Sequence, residues 1–241
     1  MKEKIQVSII TVCYNAAPML KETIESVGNQ QGCSMEYIVI DGGSTDETSM
    51  LLRQYSNIIT RWISEPDKGI YDAMNKGVRM AIGEYCLFLN AGDTFASNDV
   101  LSEIFSSHRF VDVIYGDVIK EINGLNVIVP AHRFENSHRM CFCHQSVLTS
   151  RKQLLLHPYD TKYKMSADFK FYKILFLSGC SFEHVALPIA KFDTNGISNR
   201  KRSAGLAENI RVIKETDRWI DKIRFLPRLY FVYLSCKIRG K

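Results

Sequence analysis

The 241-residue chain has no run of about 18 consecutive apolar residues, the length a bilayer-spanning helix needs. Its start, MKEKIQVSIITVCYNA, carries too short an apolar stretch for a secretory leader, so a cytoplasmic location is expected. With only six prolines there is no proline- or serine-rich linker, and no internal repeat appears. The seven cysteines are odd in number and lack the paired spacing of a zinc site, which favours reduced, structural thiols. No Gly-x-Gly-x-x-Gly follows the first apolar run, so the phosphate turn of a dinucleotide-dependent oxidoreductase is missing. The net charge of +5 comes with no nucleic-acid-binding motif, and nucleic acid is not an expected partner.

What is present is an ordinary globular balance, 46% hydrophobic and 24% charged, enough for one main core. Short apolar runs (QVSIITVCY, MEYIVID, ITRWISE, EYCLFLNAGD, VDVIYGDVI) alternate with stretches of helical period (APMLKETIESVGNQ, TSMLLRQYS, IYDAMNKGVRMA, SNDVLSEIFSS). Repeated strand–helix units predict an α/β fold: a mostly parallel sheet with helices on both faces. Past Asn123 the extended pieces shorten, and they are expected to add antiparallel strands to the same sheet. The expected boundary lies near Asn199, giving a main domain over 1–199, with halves meeting near residue 120, and a C-terminal helical extension over 200–241.

The stretch VIDGGSTDET, Val39 to Thr48, turns abruptly from apolar to acidic and flexible. A capping turn explains it, with Ser44 or Thr45 as N-cap and Glu47 close behind. A ligand loop explains it too, because open α/β sheets bind ligands beyond the carboxyl ends of their strands. The strand ends at TVCYNA, SEPDKG and LNAGD are equally polar, so four such loops are expected to converge on one sheet edge. In EPDKGIYDAMNKG, Asp72, Asn75 and Lys76 fall at helical spacings that put them on one face.

VSIITVCYN, IVIDGGSTDET, EPDKGIYDAMNKG and LFLNAGD together resemble the successive motifs of family 2 glycosyltransferases, which have the A-type nucleotide-diphospho-sugar transferase fold. The resemblance is strong over residues 5 to about 120. It continues more weakly through CHQSVLTSR, MSADFKF and FDTNGISN, similar to the acceptor-side motifs of bacterial members that build capsule, exopolysaccharide or O-antigen repeats. It implies an inverting transfer from a nucleotide-diphosphate sugar to a lipid-linked saccharide. Thr11, Tyr14 and Asn15 would line base and ribose, Asp41 would read the base, and Asp46 would buttress that loop. Asp67, Gly69, Asp72, Asn75, Lys76 and Asn90 would complete the donor site.

NAGD stands where the family carries its acidic metal motif, and here it departs. Asn90 replaces the first aspartate and Gly92 a later one, leaving Asp93 as the charged ligand for a divalent cation, magnesium or manganese. A sugar-nucleotide-binding protein impaired in catalysis is the alternative this departure raises. Asp168 matches the family's acidic residue at the start of an acceptor-side helix and is the expected base. His144 and Gln145, in an expected strand before Arg151, would sit near the acceptor or diphosphate, and Asn195, Gly196 and Ser198 would close over the donor. From Arg200 onward, basic and aromatic residues interleave. That pattern suits a peripheral position on an anionic membrane surface, with Pro227 opening a helix that lays Phe225, Leu226, Leu229, Tyr230, Phe231 and Leu234 along it. A packed helix with a solvated basic face is the alternative.

Overall fold

The computed structural model describes residues 5–107, 111–192 and 202–238. Strands β1 (Val7–Cys13), β2 (Met35–Asp41), β3 (Arg61–Ser64) and β4 (Tyr85–Phe88) alternate with helices α1 (Ala17–Gly28), α2 (Thr48–Gln54) and α3 (Ile70–Met80). β1 pairs parallel with β2 and with β4, and β2 parallel with β3. Every residue of β1 is buried, which is why VSIITVC is almost wholly apolar instead of alternating: helices cover both of its faces.

The chain then forms β5 (Thr94–Phe95), α4 (Val100–Ser107), β6 (Val113–Ile122), β7 (Leu125–Val129), β8 (Val147–Ser150), α5 (Arg151–Leu156), α6 (Ala167–Leu177) and β9 (Phe182–Phe192). Sheet order is β3-β2-β1-β4-β8-β6-β9-β5, with β7 paired to β6. β8 runs antiparallel between β4 and β6, so the VDVIYGDVI strand is not a fifth parallel neighbour of β4. β9 pairs parallel with β6, with register shifts flanking Asp117. Gly116 sits at that irregularity; a Cβ there would stand 2.5 Å from the Leu187 carbonyl oxygen. Period alone identifies a strand but not its neighbour, which is chosen by non-local burial.

Leu20, Ile24 and Val27 of α1, Leu52 of α2 and Val100, Leu101 and Ile104 of α4 close one face of the sheet. The other face is closed by α3, α5, α6 and two C-terminal helices, α7 (Arg202–Thr216) and α8 (Trp219–Ile238). Ile210, Val212 and Ile213 of α7 and Phe225 and Leu229 of α8 belong to the same buried cluster as Tyr172 and Leu175 of α6. Phe225 and Leu229 are therefore core residues and do not face a membrane. Pro227 does not open a helix; it lies inside α8 with its ring in solvent, where the carbonyl it leaves without an N–H donor can bond water. Asn195, Gly196, Ser198, Arg239 and Lys241 lie outside the described residues.

Candidate active site

The polar loops do meet at the carboxyl ends of β1, β2 and β4, but several expected ligands turn out to be the framework. Thr11 is fully buried, donating to the Leu89 carbonyl at 2.6 Å and accepting from the Tyr37 hydroxyl at 2.9 Å, so it ties β1 to the Asn90 loop rather than lining a pocket. Asp41 is likewise 0% exposed. Its carboxylate takes the Ser44 hydroxyl, the Ser44 N–H at 3.1 Å and the Ser64 hydroxyl at 2.5 Å. A carboxylate so enclosed organises the loop and turns no exposed oxygen toward a base, unlike its expected role.

Asn15, held at φ 48°, accepts the Thr45 N–H at 2.9 Å, while its own N–H donates to Ser44 Oγ at 2.7 Å. Asp46 accepts from Ala17 at 3.3 Å and from Thr48 at 3.0 Å, anchoring the starts of two helices; its bonds with Thr48 lead in holding its carboxyl below the usual range. Asp46 joins the two helix starts, whereas neither Ser44 nor Thr45 caps α2, whose N-cap is Glu47. The question raised by the two glycines has a steric answer. A Cβ on Gly42 would stand 2.6 Å from Asp67 Oδ2 and 3.5 Å from the Tyr14 ring, and Gly43 holds φ 82°. Tyr14, 62% exposed, and Asp67 thus flank the bare backbone of Gly42.

On α3 the expected common face is not a ligand face. Asn75 is buried, its amide donating to the Tyr159 carbonyl at 2.8 Å and accepting the Tyr159 N–H at 2.9 Å. Asp72 accepts the Lys68 N–H at 3.0 Å, and Lys76 pairs with Glu65 at 2.8 Å and the Pro66 carbonyl at 3.0 Å. Asp67 accepts the Gly69 N–H at 2.7 Å, and Gly69, at φ 120°, begins the helix. These groups shape the turn that presents Tyr71.

Asn90, His144, Gln145 and Asp168 do converge, around a cavity of about 550 Å³ lined also by Tyr71, Met74, Lys120, Arg139 and Phe192. Asn90 Oδ1 is sealed from solvent and has no hydrogen-bond partner among the described residues, an unmet acceptor on a residue that lines the cavity. Asp168 Oδ1 accepts the Tyr71 hydroxyl at 2.9 Å and the Phe169 N–H at 2.8 Å, leaving Oδ2 without a partner among the described residues. Burial first, then the Asp168 charge, pushes the Tyr71 phenol well above its ordinary range, so it remains a donor. His144 lies in a 3-10 turn, not a strand, stacked on Phe88 at 5.2 Å with Nε2 2.9 Å from the Tyr159 hydroxyl. Burial lowers its pKa against a weaker opposite pull from Asp168, which keeps the ring neutral at pH 7. Arg151 is not near it, because β8 carries the chain to the far edge of the sheet, where the Arg151 N–H meets the Glu84 carbonyl.

Asp93 is 3% exposed and heads a turn to the Asn90 carbonyl. Among the described residues no group of three or more His, Cys, Asp or Glu is placed to hold a metal ion. Asn90 Oδ1 and the Asp93 carboxylate fit a hard cation only as a minority of its ligands, with diphosphate oxygens and water supplying the others.

Tyr159, Lys120 and Glu208 were not legible as site residues. Glu208 of α7 accepts the N–H groups of Lys164, Met165 and Ser166 at 2.8, 2.8 and 2.9 Å, supplementing the N-cap Ser166 at the start of α6. No local spacing signals a cap supplied from about 40 residues away, though acidic residues do favour helix N-termini.

A parallel sheet half with polar loops at its carboxyl edge, joined to a cavity holding one acid and an unmet amide oxygen, defines a nucleotide-sugar transferase class of fold. The sequence pattern described as glycosyl transferase family 2 matches residues 8–182, and the chain belongs to that family. It is 32% identical over 171 residues to a PGL/p-HBAD biosynthesis glycosyltransferase of Mycobacterium bovis, covering 68% of this chain and 67% of that one. It is 28% identical over 221 residues to an uncharacterized glycosyltransferase of Mycobacterium tuberculosis, covering 88% and 84%. Among solved structures it is similar in fold to S. aureus TarS 1-349 in complex with UDP-GlcNAc, with TM-score 0.69, 17% identity, and 89% and 68% of the two chains covered. Of a longer TarS chain it spans 40%. The protein is a glycosyltransferase.

Proposed function

We propose that the chain moves a sugar from a nucleotide-diphosphate donor to a saccharide acceptor with inversion, in the assembly of a bacterial cell-surface glycan, the acceptor being carried on a lipid. Support for the glycan setting comes from the M. bovis relative and from a putative teichuronic acid biosynthesis glycosyltransferase of Bacillus subtilis, 34% identical over 101 residues. The nucleobase stacks on Tyr14 and is read by Asp67 over Gly42, and the sugar enters the cavity against Asn90. The single observation that carries the mechanism is Asp168, whose Oδ1 is fixed by Tyr71 and Phe169 while Oδ2 is left for a proton.

In one displacement the acceptor oxygen bonds to the anomeric carbon, the bond from that carbon to the diphosphate oxygen breaks, and the electron pair leaves with the diphosphate. The acceptor proton goes to Asp168 Oδ2. Attack from the side opposite the leaving group inverts the carbon. A cation brought with the diphosphate, as a mannosyltransferase of Pyrobaculum calidifontis is seen with GDP-Man and Mn2+, would neutralise the leaving charge, with Asn90 and Asp93 as the nearby oxygens. Asp168→Asn removes the proton acceptor and keeps the Tyr71 bond, so turnover should fall by roughly 100-fold or more, the scale of a lost general base. Calorimetric affinity for the donor should be unchanged. Turnover equal to that of the parent removes Asp168 from the chemistry.

A further inference from the structure

Helix α8 has two apolar faces. The inner one, with Phe225, Leu229 and Cys236, is buried against the protein. The outer one is a single line: Ile220, Ile223, Pro227, Phe231, Leu234 and Ile238 recur every three or four residues, the repeat that aligns side chains along one side of a helix. All six are exposed, Phe231 by 73% and Ile238 by 87%. At 1.5 Å per residue the line runs about 27 Å. No acidic residue interrupts it.

What borders the line identifies its occupant. At 3.6 residues per turn, Arg224 and Arg228 fall along one border, and Trp219, Tyr230 and Lys237 along the other. Asp221, the one acid in α8, lies beyond the arginines and pairs with Arg218 at 3.6 Å. A second copy of the chain would set these cations, none of them in a salt bridge among the described residues, against their own images across a two-fold interface. An anionic bilayer answers them with opposite charge, takes the apolar line into its acyl boundary, and accepts Trp219 and Tyr230 at headgroup depth. The helix is not long and apolar enough to cross a membrane.

We propose that α8 lies in the plane of an anionic lipid surface with its outer line downward, binding the protein reversibly. The His138 ring lies 6.1 Å from the Phe225 ring, and the next residue, Arg139, lines the cavity, so lipid contact is made beside the cavity wall. No donor or acceptor enters the test, so its failure is separate from any failure of the transfer mechanism.

The full chain, carrying Trp62→Phe so that Trp219 is the sole indole, is mixed with vesicles of phosphatidylcholine alone or with equal phosphatidylglycerol. Sedimentation and Trp219 emission report binding. Expected are a blue shift and co-sedimentation with the anionic vesicles only, weakening as salt rises and the Debye length shrinks. Replacing Arg224, Arg228 and Lys237 by glutamine should lower the partition coefficient on the order of 100-fold, from about a fivefold loss per cation. Phe231→Asp should also abolish it, with the far-UV spectrum of both variants unchanged because every replaced side chain is exposed. Indifference of the parent to anionic vesicles at low salt, equal binding to neutral ones, or a parent dimer in ultracentrifugation that Phe231→Asp dissociates would each overturn the proposal.

Discussion

Replacing Lys173 by methionine isolates one buried charge. Lys173 is 2% exposed, and its ammonium meets Asp217 at 2.9 Å, Asn136 Oδ1 at 2.6 Å and the Ser137 carbonyl at 2.8 Å. Burial draws its pKa down while the Asp217 bond and charge pull it back. Methionine keeps the aliphatic stem and removes the cation, which strands a carboxylate whose side chain is 0% exposed. Breaking such a pair from one side costs about 3–5 kcal/mol, because the remaining charge keeps its desolvation penalty without its partner. For a chain of this size that lowers the melting temperature by roughly 6–20 °C, at about 2–4 °C per kcal/mol. Urea unfolding read by far-UV circular dichroism measures it. Adding Asp217→Leu to the same protein should restore most of the loss, since an apolar pair of similar volume is often neutral or better. A single variant within 1 kcal/mol of the parent, or a double variant worse than the single, would refute the accounting. Because Lys173 also ties down Asn136 and Ser137, near the cavity-lining loop, KM for the acceptor should rise in the single variant.

Asp67→Ala should weaken nucleotide binding by about 1.5–3 kcal/mol in calorimetry with little change in stability, the scale of a hydrogen bond to a charged group. Asp41→Ala should instead destabilise the fold by about 1–3 kcal/mol or more, because Ser44 and Ser64 lose their shared acceptor; unchanged stability would return Asp41 to the ligand. Tyr71→Phe frees Asp168 Oδ1 of its phenol donor and should lower kcat more than it raises KM, as the carboxylate loses the bond that orients it; equal kcat in steady-state assays would refute the positioning role. His144 has a folded pKa below its ordinary 6.5, so below that pH the unfolded chain takes up a proton the folded ring refuses. Stability should therefore fall as pH drops from 6.5 toward the lowered value, and His144→Phe should flatten that slope in denaturant titrations.

The parallel half was legible because β1, β2 and β4 are buried between helices, and local period carries that information. The order β4-β8-β6-β9 was not, since those neighbours come from distant parts of the chain. At the site, Asp168 and Asn90 could be placed from motif position, and both line the cavity. Asp41, at a strand end, and Asn75, on a helix, illustrate what a motif leaves open: a polar residue within it can serve backbone N–H and hydroxyl groups as readily as a ligand. Which of the two it serves depends on where Ser64 and Tyr159 fall in space.

Helix α6 does not own its beginning. The acid it presents to the cavity is one turn from N–H groups whose acceptor is Glu208, beyond residue 182 where the family match ends. A chimera or trimmed protein cut at that limit would keep Asp168 with its Tyr71 and Phe169 bonds and lose the acceptor that orders the chain entering α6. The entry to α6 is therefore inherited only together with the tail.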